Sequence, residues 1–167
     1  DKQTMYKTIE HTMSKIRKDK PIHLLGIGGI ADIFHGVRQG IDTFDCVHPT
    51  RLARHGCALV KSKYWDKSSK KPRESIDLTK GEFKTDNRVI DEECGCNTCK
   101  EGYTRSYINY LFKLKESLGG TLLTIHNIFY MNKLMKSIRQ AIKNDHLEKT
   151  ESEWLVESLK YKNRLTM

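Results

Sequence analysis

Ile22-His23-Leu24-Leu25-Gly26-Ile27-Gly28-Gly29, together with the second short apolar run Ile41-Asp42-Thr43-Phe44-Asp45-Cys46-Val47, decides the fold. The first run is short, apolar and closed by glycines, the pattern of a strand buried on both faces in a parallel sheet. Between the runs, Ile30, Ile33, Phe34 and Val37 repeat at helical spacing, with Gly40 placed to cap the helix. Pro49 stops the second strand. Strand, short helix, strand is a βαβ unit, and one such unit cannot bury its own faces or close a sheet. The remaining strands are therefore expected on another part of the protein or on a separate chain, and the class is α/β.

Upstream, Met5, Ile9, Met13 and Ile16 form one apolar stripe, which predicts a helix over residues 1–18 ended by Pro21. Downstream, residues 51–93 are polar and predict a hairpin, with a turn at Lys80-Gly81 between 75–79 and 82–85. Two periodic helices follow. The first, 104–118, carries Tyr107, Ile108, Leu111, Phe112 and Leu118 and ends at Gly119-Gly120; the second, 121–143, carries Leu123, Ile125, Leu134, Ile138 and Ile142. A weaker helix is predicted over 151–159. The organisation reads as 1–50, the βα elements; 51–127, a hairpin, cysteine knuckle and helix; and 128–167, C-terminal helices.

The 167 residues carry a net charge of +9 and 37% apolar content. That balance suits a polyanionic partner but also fits a merely solvated surface. Lys61, Lys63, Lys67, Lys70, Lys71 and Arg73 crowd into thirteen residues opposed only by Asp66, either a surface hairpin or a loop that contacts phosphates. No run approaches the roughly eighteen apolar residues of a membrane-spanning helix. The charged residues 1–20 lack the apolar stretch of a secretory signal, so no membrane association and a cytoplasmic location are expected.

Five cysteines, three of them within six residues, do not read as a disulfide framework. Cys94-Gly95-Cys96-Asn97-Thr98-Cys99 has the spacing of a metal knuckle, with small residues that let three sulfurs face one point. His126 alone would read as an ordinary core or surface histidine. Beside three thiols, on a helix able to pack back over the knuckle, it reads as the fourth ligand of a closed structural zinc site. Cys46 and Cys57 read as small buried side chains.

Residues 40–51, Gly-Ile-Asp-Thr-Phe-Asp-Cys-Val-His-Pro-Thr-Arg, resemble a segment typical of the tRNA-guanine transglycosylases. The likeness continues through the knuckle, through Tyr107-Ile108-Asn109-Tyr110-Leu111-Phe112, and through Leu122-Leu123-Thr124-Ile125-His126-Asn127. It covers about residues 22 to 142 in the family's order. It departs from the family at His48, at Gly29-Ile30 and in the lysine-rich insertion.

The resemblance implies the C-terminal portion of a TIM (β/α)8 barrel with an inserted zinc-binding subdomain. It implies exchange of a guanine in tRNA for a 7-deazaguanine base, queuine or its precursor, by double displacement with Asp45 as nucleophile. It places Leu25 and Gly26 in the base pocket, and Arg51 and Arg54 against the anticodon bases. The family's general acid/base aspartate and base-recognising carboxylates belong to earlier strands, expected outside this sequence. A homodimer, or a complementary chain carrying the rest of the barrel, is expected. The alternatives are a noncatalytic tRNA-binding accessory subunit, against which the intact Phe44-Asp45-Cys46-Val47 segment argues, and the archaeal branch with its further RNA-binding domain.

Overall fold

The computed structural model describes residues 1–61 and 74–155. It divides into two compact units, Asp1–His48 and a second that begins at Pro49.

In the first unit, helix α1 (Lys2–Lys15) is capped by the Asp1 side chain, which accepts from the Gln3 amide. It buries Tyr6, Ile9 and Met13. The helix is shorter than the sequence pattern predicts and stops well before Pro21. Ile16 lies at its extended C-cap, and Tyr6 takes an inward place because its hydroxyl donates to Asp32. Strand β1 (His23–Leu25), helix α2 (Ile30–Gln39) and strand β2 (Thr43–Asp45) form the predicted βαβ unit, with Gly40 in the left-handed conformation at the end of α2. The strands pair in parallel, His23 with Thr43, Leu24 with Phe44 and Leu25 with Asp45.

The expectation that β1 is buried on both faces does not hold. Leu24 packs with Ile9, Met13 and Ile41, whereas Leu25 is 69% exposed. The physical reason is that this sheet has two strands among the described residues, so one face meets α1 and α2 and the other lacks a cover.

At the start of the second unit, α3 (His48–Arg54) takes the place of the first residues of the hairpin predicted over 51–93. Pro49 does not simply end a strand: it occupies the first turn of this helix, where a missing N–H costs nothing. Strand β3 (Cys57–Leu59) pairs antiparallel with β4 (Ser75–Asp77). The chain turns at Lys80-Gly81, where Phe83 N donates to Lys80 O, but the expected hairpin does not form: Gly81–Phe83 make a 3-10 turn where the second strand was expected. The partner of β4 therefore precedes the lysine-rich run rather than following Gly81. Of that run, all but Lys61 lies outside the described residues; Lys61 Nζ sits 4.9 Å from the Trp154 ring centre.

The single-turn helix α4 (Asn97–Lys100) holds the knuckle, and α5 (Arg105–Lys113) follows, capped by Thr104. Helix α6 (Ser117–Lys143) starts before Gly119-Gly120 instead of after them, which places Leu118 on α6 and not α5. Lys115, with φ of 58°, makes the break, and bare Gly119 lets Phe112 pack against the new helix. The last helix is α7 (Leu147–Trp154).

Ala58, Val60, Ile76, Leu78, Ile90, Ile108, Leu122 and Leu123 join the knuckle thiols in one buried cluster. Each large aliphatic side chain there is worth about 1.5–3 kcal/mol of transfer free energy. Tyr107, Ile125 and Ile142, counted in the apolar stripes, are 39%, 41% and 56% exposed. Cys46 and Cys57 are only half-buried, contrary to expectation. Each sits at a strand boundary.

Candidate metal centre and strand-end site

One face of α6 organises the knuckle. Leu122, His126, Phe129 and Lys133 recur at helical spacing, and each touches it. Thr98 Oγ1 donates to Leu122 O at 2.8 Å, and Lys133 Nζ donates to Glu93 O at 3.1 Å. A Cβ on Gly95 would stand 3.3 Å from the Phe129 ring, so a larger residue there would crowd the packing. The Cys96 sulfur caps α4 by accepting from the Cys99 amide at 3.4 Å, which also favours its thiolate.

His126 Nδ1 lies 3.6, 3.6 and 3.5 Å from the sulfurs of Cys94, Cys96 and Cys99. All four groups are buried, and their ligand atoms lie within 4.8 Å of one another. A tetrahedral ion bonded at about 2.3 Å to sulfur and about 2.0 Å to nitrogen requires S···N edges of roughly 3.6 Å. The donor set therefore fits such an ion. His126 Nε2 donates to Leu59 O at 2.8 Å, which fixes the tautomer and leaves the Nδ1 lone pair facing the sulfurs.

The electrostatics agree. Burial opposes charging of the imidazole, but the Cys94 and Cys96 sulfurs outweigh it and raise His126 to about 9. The cage therefore favours positive charge at its centre. The other sulfurs lower Cys96 and raise Cys99, the response of crowded thiols sharing protons where a bound cation would let all three be thiolates.

Asp45 is the last residue of β2 and is exposed. Its backbone oxygen accepts from Gly26 N at 2.7 Å, and Leu25 is its partner across the parallel pair. The C-terminal ends of β1 and β2 thus bring Leu25, Gly26 and Asp45 together. Gly26 has a φ of +75°, and among the described residues a Cβ there would meet nothing within 4 Å. Arg51 and Arg54 are exposed on α3. Arg54 borders a cavity of about 590 Å³ whose wall includes Phe112, Lys115, Glu116, Thr121 and Ile125.

Three polar residues that sequence reasoning passed over are buried and hydrogen-bonded in the second unit. Asn127 bonds to Leu59, Pro49 and Cys57, and Asn109 Nδ2 donates to Leu78 O and Lys80 O. Arg105 grips Asp86, Val89 and Ile90. The available signal was a polar side chain at an inward position of a helical stripe, which calls for a partner.

The family model for queuine tRNA-ribosyltransferase matches residues 1–160. The chain belongs to the queuine tRNA-ribosyltransferase family. A queuine tRNA-ribosyltransferase of Vibrio vulnificus (strain YJ016) is 42% identical over 147 residues, which cover 88% of this chain and 36% of the relative. One of Vibrio cholerae (strain M66-2) is 40% identical over 153 residues, covering 92% and 37%. One of Dictyoglomus turgidum is 39% identical over 159 residues, covering 95% and 38%. The chain spans just over a third of the length of these queuine tRNA-ribosyltransferases. Its α/β composition and Cys3His cluster match the expectation drawn from the sequence. No helix among the described residues is long and apolar enough to cross a membrane.

Proposed function

We propose that this chain is the nucleophile-bearing part of a tRNA-guanine transglycosylase, which exchanges the wobble guanine of tRNA for a 7-deazaguanine in queuosine biosynthesis. The observation that carries the reading is an exposed carboxylate, Asp45, at the C-terminal end of a parallel strand, beside the open ground at Leu25 and Gly26. Catalytic groups of (β/α)8 barrels sit at that end of their strands. On this reading residues 1–50 are the last βα elements of such a barrel, 51–127 its zinc subdomain and 128–167 the closing helices, with the other strands supplied elsewhere in the protein or by another chain.

The Asp45 carboxylate attacks C1′ of the ribose, the C1′–N9 bond breaks, and guanine leaves with that electron pair and a proton from a general acid on the missing strands. The same group, now deprotonated, takes the N9 proton of the incoming 7-deazaguanine as that nitrogen attacks C1′ and releases the carboxylate. Two inversions give the retention that base exchange in an intact tRNA requires. Leu25 and Gly26 line the base pocket, and Arg51 and Arg54 read the neighbouring anticodon bases with guanidinium forks. Cys94, Cys96, Cys99 and His126 hold zinc, which supplies a closed structural tie and no vacant position for chemistry. The setting is the cytoplasm, where tRNA is found.

In the complete enzyme, Asp45→Asn should abolish exchange of labelled guanine into tRNA and remove the RNA–protein adduct that survives denaturation. It should leave tRNA affinity largely intact, because the amide keeps the shape and loses the nucleophilicity. An adduct that persists in Asp45→Asn would move the nucleophile to another residue.

A further inference from the structure

The residue after the metal-ligating histidine has more hydrogen-bond partners than any packing role needs. Asn127 has no exposed surface. Its Oδ1 accepts from Leu59 N at 2.8 Å, and its Nδ2 donates to Pro49 O at 2.9 Å and to Cys57 O at 3.0 Å. Pro49 lies in the first turn of α3, and Cys57 begins β3 just beyond its end. One amide nitrogen therefore clasps both ends of the short excursion that displays Arg51 and Arg54.

The neighbouring side chain completes the grip. His126 Nε2 donates to Leu59 O while Asn127 takes Leu59 N, so two consecutive residues of α6 satisfy both backbone groups of Leu59. Inside α3, Ala53 is fully buried, whereas Arg51 and Arg54 are exposed. A seven-residue helix has too little hydrogen bonding of its own to hold a fixed place, and such short helices depend on tertiary contacts.

We propose that Asn127 is a positioning residue that sets α3, and with it Arg51 and Arg54, in the orientation that engages tRNA. This rests on the RNA-reading role proposed above for the two arginines. A core asparagine with a purely structural task would affect stability alone; a positioning asparagine acts through the arginines, so its loss and theirs must overlap.

The test is a double-mutant cycle on tRNA affinity in the complete, zinc-loaded protein. Asn127→Asp keeps the shape and the acceptor for Leu59 N, but turns both donors into an oxygen facing two carbonyl oxygens. It should bind one zinc per chain and weaken tRNA binding about tenfold, the loss of roughly one charge-assisted contact. KM for tRNA should rise by a similar factor with kcat nearly unchanged. In the Arg51→Ala/Arg54→Ala background, Asn127→Asp should weaken binding no further.

Asn127→Ser, uncharged and smaller, carries the same cycle if the aspartate variant does not fold. Unchanged affinity in a zinc-loaded variant, or a loss that adds in full to that of the arginine pair, would overturn the proposal. Loss of zinc and fold in both variants would make Asn127 a core residue and overturn it too. If Arg51→Ala/Arg54→Ala itself leaves tRNA affinity unchanged, it is the reading of the arginines that fails.

Discussion

Arg105 Nη1 lies 3.2 Å from Asp86 Oδ2, and the two side chains are 7% and 11% exposed. The same guanidinium donates through Nε to Val89 O at 3.0 Å and through Nη2 to Ile90 O at 2.8 Å. The first residue of α5 thus reaches back over the knuckle and holds the segment that leads into it. Arg88 shares the carboxylate, 2.7 Å from Oδ2.

Replacing Arg105 leaves two backbone carbonyls and part of a carboxylate without donors in a buried place. Arg105→Leu should cost about 2–4 kcal/mol of unfolding free energy, mostly from the two carbonyls left unpaired, since Arg88 still neutralises Asp86. Urea titration checks the loss. Arg105→Lys should recover little of it, because an ammonium cannot reproduce the three-way fork.

Asp86 also predicts a pH dependence. Hydrogen bonding to Arg88, chiefly, holds its carboxyl at about 2 in the folded chain, against about 3.9 in an unfolded one. A depressed folded value contributes stability that is fully present above the unfolded value and disappears as pH falls through the folded one. Asp86→Asn should therefore be less stable than the parent at neutral pH, and the gap should close between pH 4 and 2. The gap is the quantity to follow, since acid also strips metal from thiolates in both proteins. A gap independent of pH would contradict the assignment.

Metal analysis should find one zinc per chain. Cys96→Ser should lose it, while His126→Cys should keep it as a four-thiolate site at the cost of the bond to Leu59 O. A well-folded wild type free of metal would dismiss the zinc reading.

Binding of tRNA should weaken steeply with salt as phosphates release counterions. Arg54→Ala should weaken binding to the cognate anticodon loop more than to unrelated RNA, because a guanidinium that reads bases discriminates. Equal losses would reduce Arg54 to a phosphate contact.

The βαβ unit, the Gly40 cap and the metal cluster were legible because each rests on local periodicity or on spacing. His126 could be paired with the cysteines across thirty residues since three thiols demand a fourth ligand. Helix α3 was not legible, because Pro49 at a strand end and Pro49 in a first helical turn look alike in sequence. The β3–β4 pairing was missed because its partners are brought together only by the fold. Gly119-Gly120 misled for an energetic reason: a glycine costs a helix only about 1 kcal/mol, and contact with Phe112 offsets it. For Asn127 and Arg105 the sequence offers an inward polar position but not the partner, as the carbonyls they serve become neighbours only after folding.

The grip on Leu59 has one more consequence. Strand β3 meets β4 along one side, with Leu78 N donating to Gly56 O and Val60 N to Glu74 O, and among the described residues its other side is met by side chains of α6 rather than by a strand. A bare strand edge is a template on which a second molecule can add its own backbone. The metal helix therefore acts as a guard against self-association. Chelation that frees the imidazole would uncover an apolar Ala58-Leu59-Val60 edge, and metal loss should end in precipitation rather than in a soluble unfolded chain.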